Sequence, residues 1–214
     1  MSQNGLLVMR IIETDADVAE GAAWLAAHHE RLAYALSETG PLPLRRRPDG
    51  FAQLLSAIIS QQVSVASAAA IWKRMEDAGL TTEAAVLAAG EDGLRSAGLS
   101  RQKIAYSQAL AEAQIDYDAL RHASDTDVMS TLTAVKGIGI WTAEIYAMFS
   151  LGRCDVFAPG DLALQVAAQD LYRLSERPKE KELRQMSLDW SPWRSVAARL
   201  LFAYYHIAKG REGI

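Results

Sequence analysis

Two short stretches of this chain carry residue types and spacings that could do chemistry. The first is the glycine-rich segment Val135-Lys136-Gly137-Ile138-Gly139, and the second is the turn Pro159-Gly160-Asp161. Glycines between two helices can expose main-chain amides that bind an anion, whereas a lone carboxylate can stabilise positive charge or orient water. We therefore interpret the first stretch as a phosphate-binding hairpin and Asp161 as the reactive group.

Helical patterns on both sides of the glycines position the hairpin. Ser124 followed three residues later by Asp127 predicts a capped helix before it. Trp141 and Ile145 recur at helical spacing after it, so that a second helix is predicted to begin near Ile140. The hairpin thus precedes the N-terminus of a helix.

The glycines themselves explain why an anion could bind at this point. Gly137 and Gly139 both permit a positive φ and have no side chain, so the amides that open the second helix stay uncovered. One phosphate fits such a site, and Lys136 adds charge. The ordinary alternatives are a tight turn between helices with a glycine C-cap, and an Asp161 that only caps a helix.

The complete string around the hairpin is more specific than the glycines alone. Leu132-x-x-Val135-x-Gly137-Ile138-Gly139-x-x-Thr142-Ala143 resembles the helix-hairpin-helix motif of the DNA glycosylase superfamily that also contains endonuclease III. In that superfamily a Gly/Pro-rich loop and a catalytic Asp follow the hairpin, and Pro159-Gly160-Asp161 matches this arrangement. The resemblance runs from about Phe51 to Tyr205.

The resemblance implies an all-α fold of two helical subdomains flanking a cleft. One subdomain is expected to combine residues 1–48 with 160–214. The other is expected to be a helical barrel of residues 49–159, with the helix-hairpin-helix at 126–150. The cleft is expected to hold Trp141, Asp161 and the damaged base. Residues 1–14 have no clear pattern, and an extended arm is one interpretation.

Position 141 indicates a branch of the superfamily. Bifunctional members, which also cut the strand, have a lysine there that forms a Schiff base with the sugar, whereas this chain has Trp141. Gly137-Ile138-Gly139-Ile140-Trp141-Thr142-Ala143 resembles the 3-methyladenine DNA glycosylase II branch, which is monofunctional. The implied activity is hydrolysis of the N-glycosidic bond of alkylated purines, 3-methyladenine and 7-methylguanine, to leave an abasic site. A tryptophan fits this chemistry because its ring can stack on a flat cationic base.

The resemblance also implies roles for further residues. The damaged base is expected to lie against Trp141, Ile145, Phe202 and Tyr204, with Ile145 and Phe202 differing from the family's Tyr and Trp. The DNA backbone is expected to contact Lys136, Gly137, Ile138, Gly139 and Thr142. Gln61 and Gln62 are expected at the DNA interface, with Gln62 as the wedge that fills the gap left by the extruded nucleotide. Family members hold a monovalent cation with hairpin carbonyls, here those of Val135 and Ile138, which the sequence neither supports nor excludes. No other metal and no cofactor is expected.

Two more strings are similar to segments of the family, and both have a sufficient structural interpretation. Gly98-Leu99-Ser100-x-x-Lys103 reads as a helix C-cap followed by an N-cap. Trp190-Ser191-Pro192-Trp193-Arg194-Ser195 reads as core packing by the tryptophans, with Ser191 as N-cap of the last helix. The proline-flanked arginines of residues 41–48 read as a solvated linker, with DNA contact as the alternative.

The composition limits the class of protein. Of the 214 residues, 50% are hydrophobic, which allows a buried core, and the alanine-rich pattern without strand-type alternation predicts helices. The net charge of −4 counts against a strongly basic nucleic-acid binder. A local patch can still bind phosphates, so modest, salt-sensitive affinity for double-stranded DNA is expected.

Other classes are excluded by what the sequence lacks. The single cysteine, Cys154, cannot build a disulfide framework or a four-cysteine iron–sulfur cluster. The N-terminal stretch has no long apolar run of the signal-peptide type, and no segment is long and apolar enough to predict a membrane span. We expect a monomer in the cytoplasm or nucleoid, associated with DNA and not with membranes.

Two alternative functions stay open at this point. A non-catalytic helix-hairpin-helix protein would bind DNA without needing Asp161 or Trp141. A bifunctional glycosylase/lyase would need the lysine that position 141 lacks. The range of lesions is also open, because the shape of the base pocket decides it.

Overall fold

The computed structural model describes residues 10–211, and all the regular secondary structure in that range is helical. Most of the arm expected over residues 1–14 lies outside the described residues. The helices are α1 Asp15–His28, α2 Glu30–Thr39, α3 Phe51–Ser60, α4 Val65–Asp77, α5 Glu83–Ser96, α6 Arg101–Glu112, α7 Tyr117–His122, α8 Asp125–Thr133, α9 Ile140–Phe149, α10 Leu162–Tyr172, α11 Glu180–Ser187 and α12 Arg194–Arg211. Extended pairing within 10–211 is limited to an antiparallel bridge between Ile11 and Arg153. The all-α prediction is confirmed.

The described chain divides into two compact units. One contains the residues up to Arg46 and those from Ala147 onward, and the other is Arg47–Tyr146. The continuous unit thus ends between Tyr146 and Ala147, whereas the sequence predicted its end between residues 159 and 160. The reason is that the segment after α9 bonds to the N-terminal residues: Cys154 N donates to Arg10 O at 3.2 Å, and Ile12 N to Gly152 O at 2.7 Å.

In the discontinuous unit, the two tryptophans of the Trp190–Ser195 string are core residues, as predicted. Trp190 and Trp193 are each 2% exposed. Arg194 forms a two-pronged ion pair with Asp155, with Nε donating to Oδ1 at 2.8 Å and Nη2 to Oδ2 at 3.0 Å. The Ser191 hydroxyl also donates to Asp155, at 2.8 Å. The expected N-cap role of Ser191 is wrong, because α12 begins only at Arg194.

The arginine-rich linker is bound to this unit and is not a freely solvated connection. Arg199 of α12 is 0% exposed, and its Nε donates to Leu44 O at 3.0 Å. Burial, with the nearby charges of Arg46 and Arg45, lowers the pKa of Arg199 to about 10. Arg46 itself donates to Ser150 O at 2.8 Å. Two hydrogen bonds to main-chain carbonyls, one of them the linker's own Leu44 carbonyl, therefore hold the linker to this unit.

The continuous unit, Arg47–Tyr146, is built around the apolar stripe of α3. Phe51, Leu54, Leu55, Ile58 and Ile59 are all buried, as the helical spacing predicted. Helix α3 packs on α4 and α6. Tyr146 is the last residue of this unit, and its buried hydroxyl accepts a hydrogen bond from Gly50 N at 2.7 Å. This hydrogen bond fixes the start of α3. This unit carries the hairpin.

None of the helices described here has the length and apolar character that crossing a lipid bilayer requires.

The contact between α1 and α12 can be tested at a single glycine. A Cβ on Gly21 would lie 2.5 Å from Trp193 Cε3 and 2.7 Å from Val196 Cγ2, so Gly21→Ala should reduce the free energy of unfolding by about 1–3 kcal/mol through overpacking. Gly210→Ala is the matched control, because it is also helical but has nothing within 4 Å, and it should change stability by less than about 1 kcal/mol. Urea unfolding of both variants measures the difference. Equal stabilities would contradict the packing described.

Candidate functional site

The hairpin joins α8 to α9 through a tight main-chain turn. Val135 N donates to Leu132 O at 3.2 Å, and Ile138 N donates to Val135 O at 3.0 Å. Val135 and Ile138 are 7% and 4% exposed, so their side chains anchor the turn in the core of Arg47–Tyr146. Helix α9 then begins with the bond from Ala143 N to Gly139 O at 3.1 Å.

The two glycines of the hairpin have different structural roles. Gly137 has φ 101°, and a Cβ there would overlap the ring of Tyr106, so this position requires glycine. Gly139 is not among the residues with positive φ, and nothing lies within 4 Å of where its Cβ would be. Both glycines permit a positive φ, but only Gly137 adopts one. Gly139 instead leaves open space in front of the helix.

Helix α9 begins with amides that no N-cap side chain covers. Gly139 has no side chain that could bond to them, and Ile140 and Trp141 are each 44% exposed at the surface. Lys136 is exposed beside the turn, whereas Thr142 is only 7% exposed and lies on the buried side of the helix. Main-chain amides at a positive helix end, with a lysine near, are what a phosphate site of this kind requires, and that site stays a prediction.

A groove of about 650 Å³ lies beside the hairpin in the same unit. Its walls come from the end of α3 and the following loop, from α6, and from the hairpin with the start of α9. The lining residues are Ser60, Gln61, Gln62, Gln102, Lys103, Tyr106, Gly137, Ile138, Gly139, Trp141 and Thr142. Amide side chains and two aromatic rings thus surround one open space, next to the predicted phosphate site.

The loop expected at the DNA interface forms one edge of this groove. Gln62 is exposed and has φ 56°, a left-handed conformation that non-glycine residues rarely adopt. Gln61 is half-buried, and its Nε2 donates to Gly137 O at 3.0 Å. Backbone strain at an exposed tip is typical of functional loops.

Lys103 is a groove residue for which no functional role was predicted from the sequence. It is 8% exposed, its Nζ donates to Ile59 O, and burial lowers its pKa. Ser100 is the N-cap of α6, as the sequence predicted, because its hydroxyl accepts a hydrogen bond from Lys103 N at 3.4 Å. The contact of the Lys103 side chain with α3 could not be predicted from the neighbouring residues in the sequence, because Ile59 lies 44 residues away.

Asp161 belongs to the discontinuous unit, where it is the N-cap of α10. Its Oδ1 accepts from Ala163 N at 2.9 Å and from Leu164 N at 3.3 Å. The turn before it is held by Gln165, whose Nε2 donates to Pro159 O at 2.8 Å. The capping interpretation is therefore confirmed. The two amides fix the position of the carboxylate.

The four expected base-pocket residues lie in different settings. Trp141 is exposed, and Ile145, one turn later on α9, is half-buried. Phe202 is half-buried in the discontinuous unit, with the Arg45 guanidinium 5.4 Å from its ring centroid. Tyr204 is 3% exposed, and its hydroxyl donates to Asp170 at 2.8 Å. Tyr204 is thus packed in the core of that unit, and the pocket role expected of it stays a prediction.

The carbonyls named for a monovalent cation remain a prediction. Val135 O already accepts one hydrogen bond, from Ile138 N, and a carbonyl oxygen has a second lone pair. Within residues 10–211, no three His, Cys, Asp or Glu side chains are grouped so that they could hold a metal ion.

Comparison with known proteins supports the motif on independent grounds. A family described as HhH-GPD superfamily base excision DNA repair protein matches residues 55–192, which include the hairpin, the Gln61–Gln62 loop and Asp161. Alkylbase DNA glycosidase-like protein mag2 of Schizosaccharomyces pombe is 24% identical over 200 residues, which cover 88% of this chain and 94% of mag2.

Two solved structures share the fold over most of their length. A DNA-3-methyladenine glycosidase from Bacillus halodurans is 36% identical with a TM-score of 0.79, and the match covers 86% of this chain and 89% of the other. The 3-methyladenine DNA glycosylase Mag1 of Schizosaccharomyces pombe, solved with abasic DNA, is 27% identical with a TM-score of 0.75, covering 86% and 95%. With its helix-hairpin-helix and the Pro-Gly-Asp turn, this chain belongs to the HhH-GPD superfamily of base excision DNA repair proteins.

Proposed function

We propose that this protein is a monofunctional DNA glycosylase that removes alkylated purines such as 3-methyladenine and 7-methylguanine from double-stranded DNA. The observation that carries the proposal is the exposed Trp141, which follows directly after the open N-terminus of α9. A large exposed aromatic ring beside an anion site suits a flipped nucleotide, because the base stacks while the phosphate binds the amides.

Relatives support the substrate class. The Bacillus halodurans structure and Mag1 are both named for 3-methyladenine, and Mag1 was solved with abasic DNA, the product of such a reaction. An alkylated purine is cationic, so stacking on Trp141 gains a cation–π contribution. Damaged bases also leave the duplex at lower cost, which adds selectivity before any contact with the pocket.

The reaction needs little acid catalysis, because a cationic purine is already a good leaving group. As the glycosidic bond stretches, positive charge develops on the sugar. The Asp161 carboxylate is proposed to stabilise that charge and to orient or deprotonate the attacking water. Its two bonds from α10 amides favour this role, since a charge held in place does not have to reorganise during the reaction.

A lyase step is not part of the proposal, because the lysine of bifunctional members is replaced by Trp141. A covalent adduct trapped with borohydride on an abasic duplex would contradict this.

The second candidate function is DNA binding without chemistry. The open hairpin favours it, because the anion site is complete within Arg47–Tyr146 and does not involve Asp161.

The central experiment compares wild type with Asp161→Asn on methylated duplex DNA. Asparagine caps a helix as well as aspartate, so the variant should fold normally. Loss of the negative charge should slow base release by about 100-fold or more, with the larger effect on a neutral lesion. Release of free 3-methyladenine is measured, and strand integrity is followed separately. Near-normal release of a neutral lesion by Asp161→Asn would refute the assigned role, and DNA binding without release by wild type would favour the binding-module alternative.

The hairpin glycines give a matched pair of substitutions. Gly139→Ala adds a methyl group in open space, so stability should be unchanged while duplex affinity falls by about tenfold, the size of one lost charge-assisted hydrogen bond. Gly137→Ala should instead lower the melting temperature, because of its positive φ and the Tyr106 ring. Fluorescence anisotropy and thermal unfolding measure the two effects. Unchanged affinity of Gly139→Ala would show that no phosphate approaches there.

Lys136 tests the charge at the same site. Because each phosphate neutralised by a cation releases counterions, Lys136→Gln should weaken binding to all sequences equally and reduce the slope of log affinity against log salt by about 1. Lys181→Gln, an exposed lysine on α11, is the control and should leave the slope unchanged. A slope that Lys136→Gln does not alter would place this lysine outside the interface.

A further inference from the structure

The loop after α3 and the hairpin are distant in sequence but are bonded to each other. Gln61 Nε2 donates to Gly137 O at 3.0 Å, across 76 residues of chain. The same peptide unit is held on its other side, because Ile138 N donates to Val135 O at 3.0 Å. Both polar groups of the Gly137–Ile138 peptide are therefore occupied, which fixes its plane. The next residue is Gly139, where the hairpin is open.

A second contact holds the beginning of the loop. The buried Lys103 Nζ donates to Ile59 O in the last turn of α3. A cation suits the carbonyl end of a helix, where main-chain acceptors lack intrahelical partners. The chain then passes through Gln61 to Gln62, whose left-handed conformation would relax if the loop were free.

One helix connects these two anchor points. Tyr106 lies one turn after Lys103 on α6, and its ring fills the space beside Gly137. Gln102 Nε2 donates to the Tyr106 hydroxyl at 2.7 Å. Helix α6 thus contacts the end of α3 through Lys103 and the hairpin through Tyr106, while Gln61 links loop and hairpin directly.

From this geometry we propose that Gln61 is a positioning residue that holds the Gln62 loop at a fixed distance from the hairpin. The inference rests on the proposed function, in which the hairpin binds a phosphate and Gln62 enters the duplex. When the hairpin binds the DNA backbone, Gln62 is then already positioned at the gap left by the extruded nucleotide. The loop does not have to change its conformation to reach it. Removing the link should impair base extrusion and leave the grip on undamaged DNA intact.

The test uses the full-length protein with two substitutions at this position. Gln61→Met keeps the size of the side chain but has no donor, and Gln61→Asn keeps the amide but is one methylene too short. Gln53→Met is the matched control, since Gln53 lies on α3 outside the groove. The probe is a DNA duplex that carries 2-aminopurine next to a tetrahydrofuran abasic analogue. The fluorescence of 2-aminopurine rises when this base unstacks.

Both Gln61 variants should lower the fluorescence response and the single-turnover rate of 3-methyladenine release by about three- to tenfold, the effect of one hydrogen bond. Their affinity for undamaged duplex should stay within about twofold of wild type, and Gln53→Met should match wild type throughout. Lys103→Met should lower the fluorescence response in the same direction, because it frees the other end of the loop.

Three results separate this inference from the proposed function. A wild-type response in both Gln61 variants overturns the inference. An equal loss of affinity for undamaged and abasic duplex also overturns it, since Gln61 would then belong to the grip itself. If wild type releases no base but the fluorescence response still depends on Gln61, the inference stands and the proposed chemistry fails.

Discussion

The close approach of Gly137 to the Tyr106 ring is the constraint on which the proposed binding surface depends. The ring occupies the space where a side chain would be, so the main chain must turn with a positive φ at this position. The turn brings the Gly137 carbonyl to Gln61 and lets the next glycine open the N-terminus of α9. One steric contact thus determines the path of the hairpin, and the groove beside it follows from the same packing.

Asp161 shows how a structural and a chemical role can coincide at one residue. The turn Pro159-Gly160-Asp161 starts α10, and the capping bonds would be needed for the helix whatever the function. The same bonds restrain the carboxylate. In the proposed mechanism this restraint is useful, because a preorganised charge stabilises a developing cation better than a mobile one. The proposed catalytic role of Asp161 therefore rests on the family context and not on the capping geometry.

Features encoded by neighbouring residues could be predicted from the sequence. The hairpin, the α3 stripe, the Asp161 cap and the buried tryptophans all follow from local spacing, and the structure has them. The contacts of Gln61 and Lys103 could not be predicted, because each joins residues that are distant in sequence and leaves no periodic signal. Positions 202 and 204 point about 200° apart on a helix, so helical geometry alone predicts that Phe202 and Tyr204 lie on different faces of α12.

The proposed mode of DNA binding explains how an acidic protein could bind a polyanion. The hairpin offers main-chain amides at a helix end, which bind a phosphate without adding to the net charge of −4. Amides contact the backbone alone, so they carry no information about the base, and stacking on Trp141 suits any flat ring. In this proposal, discrimination among lesions comes from the shape of the base pocket, from the cost of extruding a base and from the charge of that base. A cationic, poorly paired purine is favoured by the last two of these, which is the physical reason for proposing alkylated purines as the substrate class.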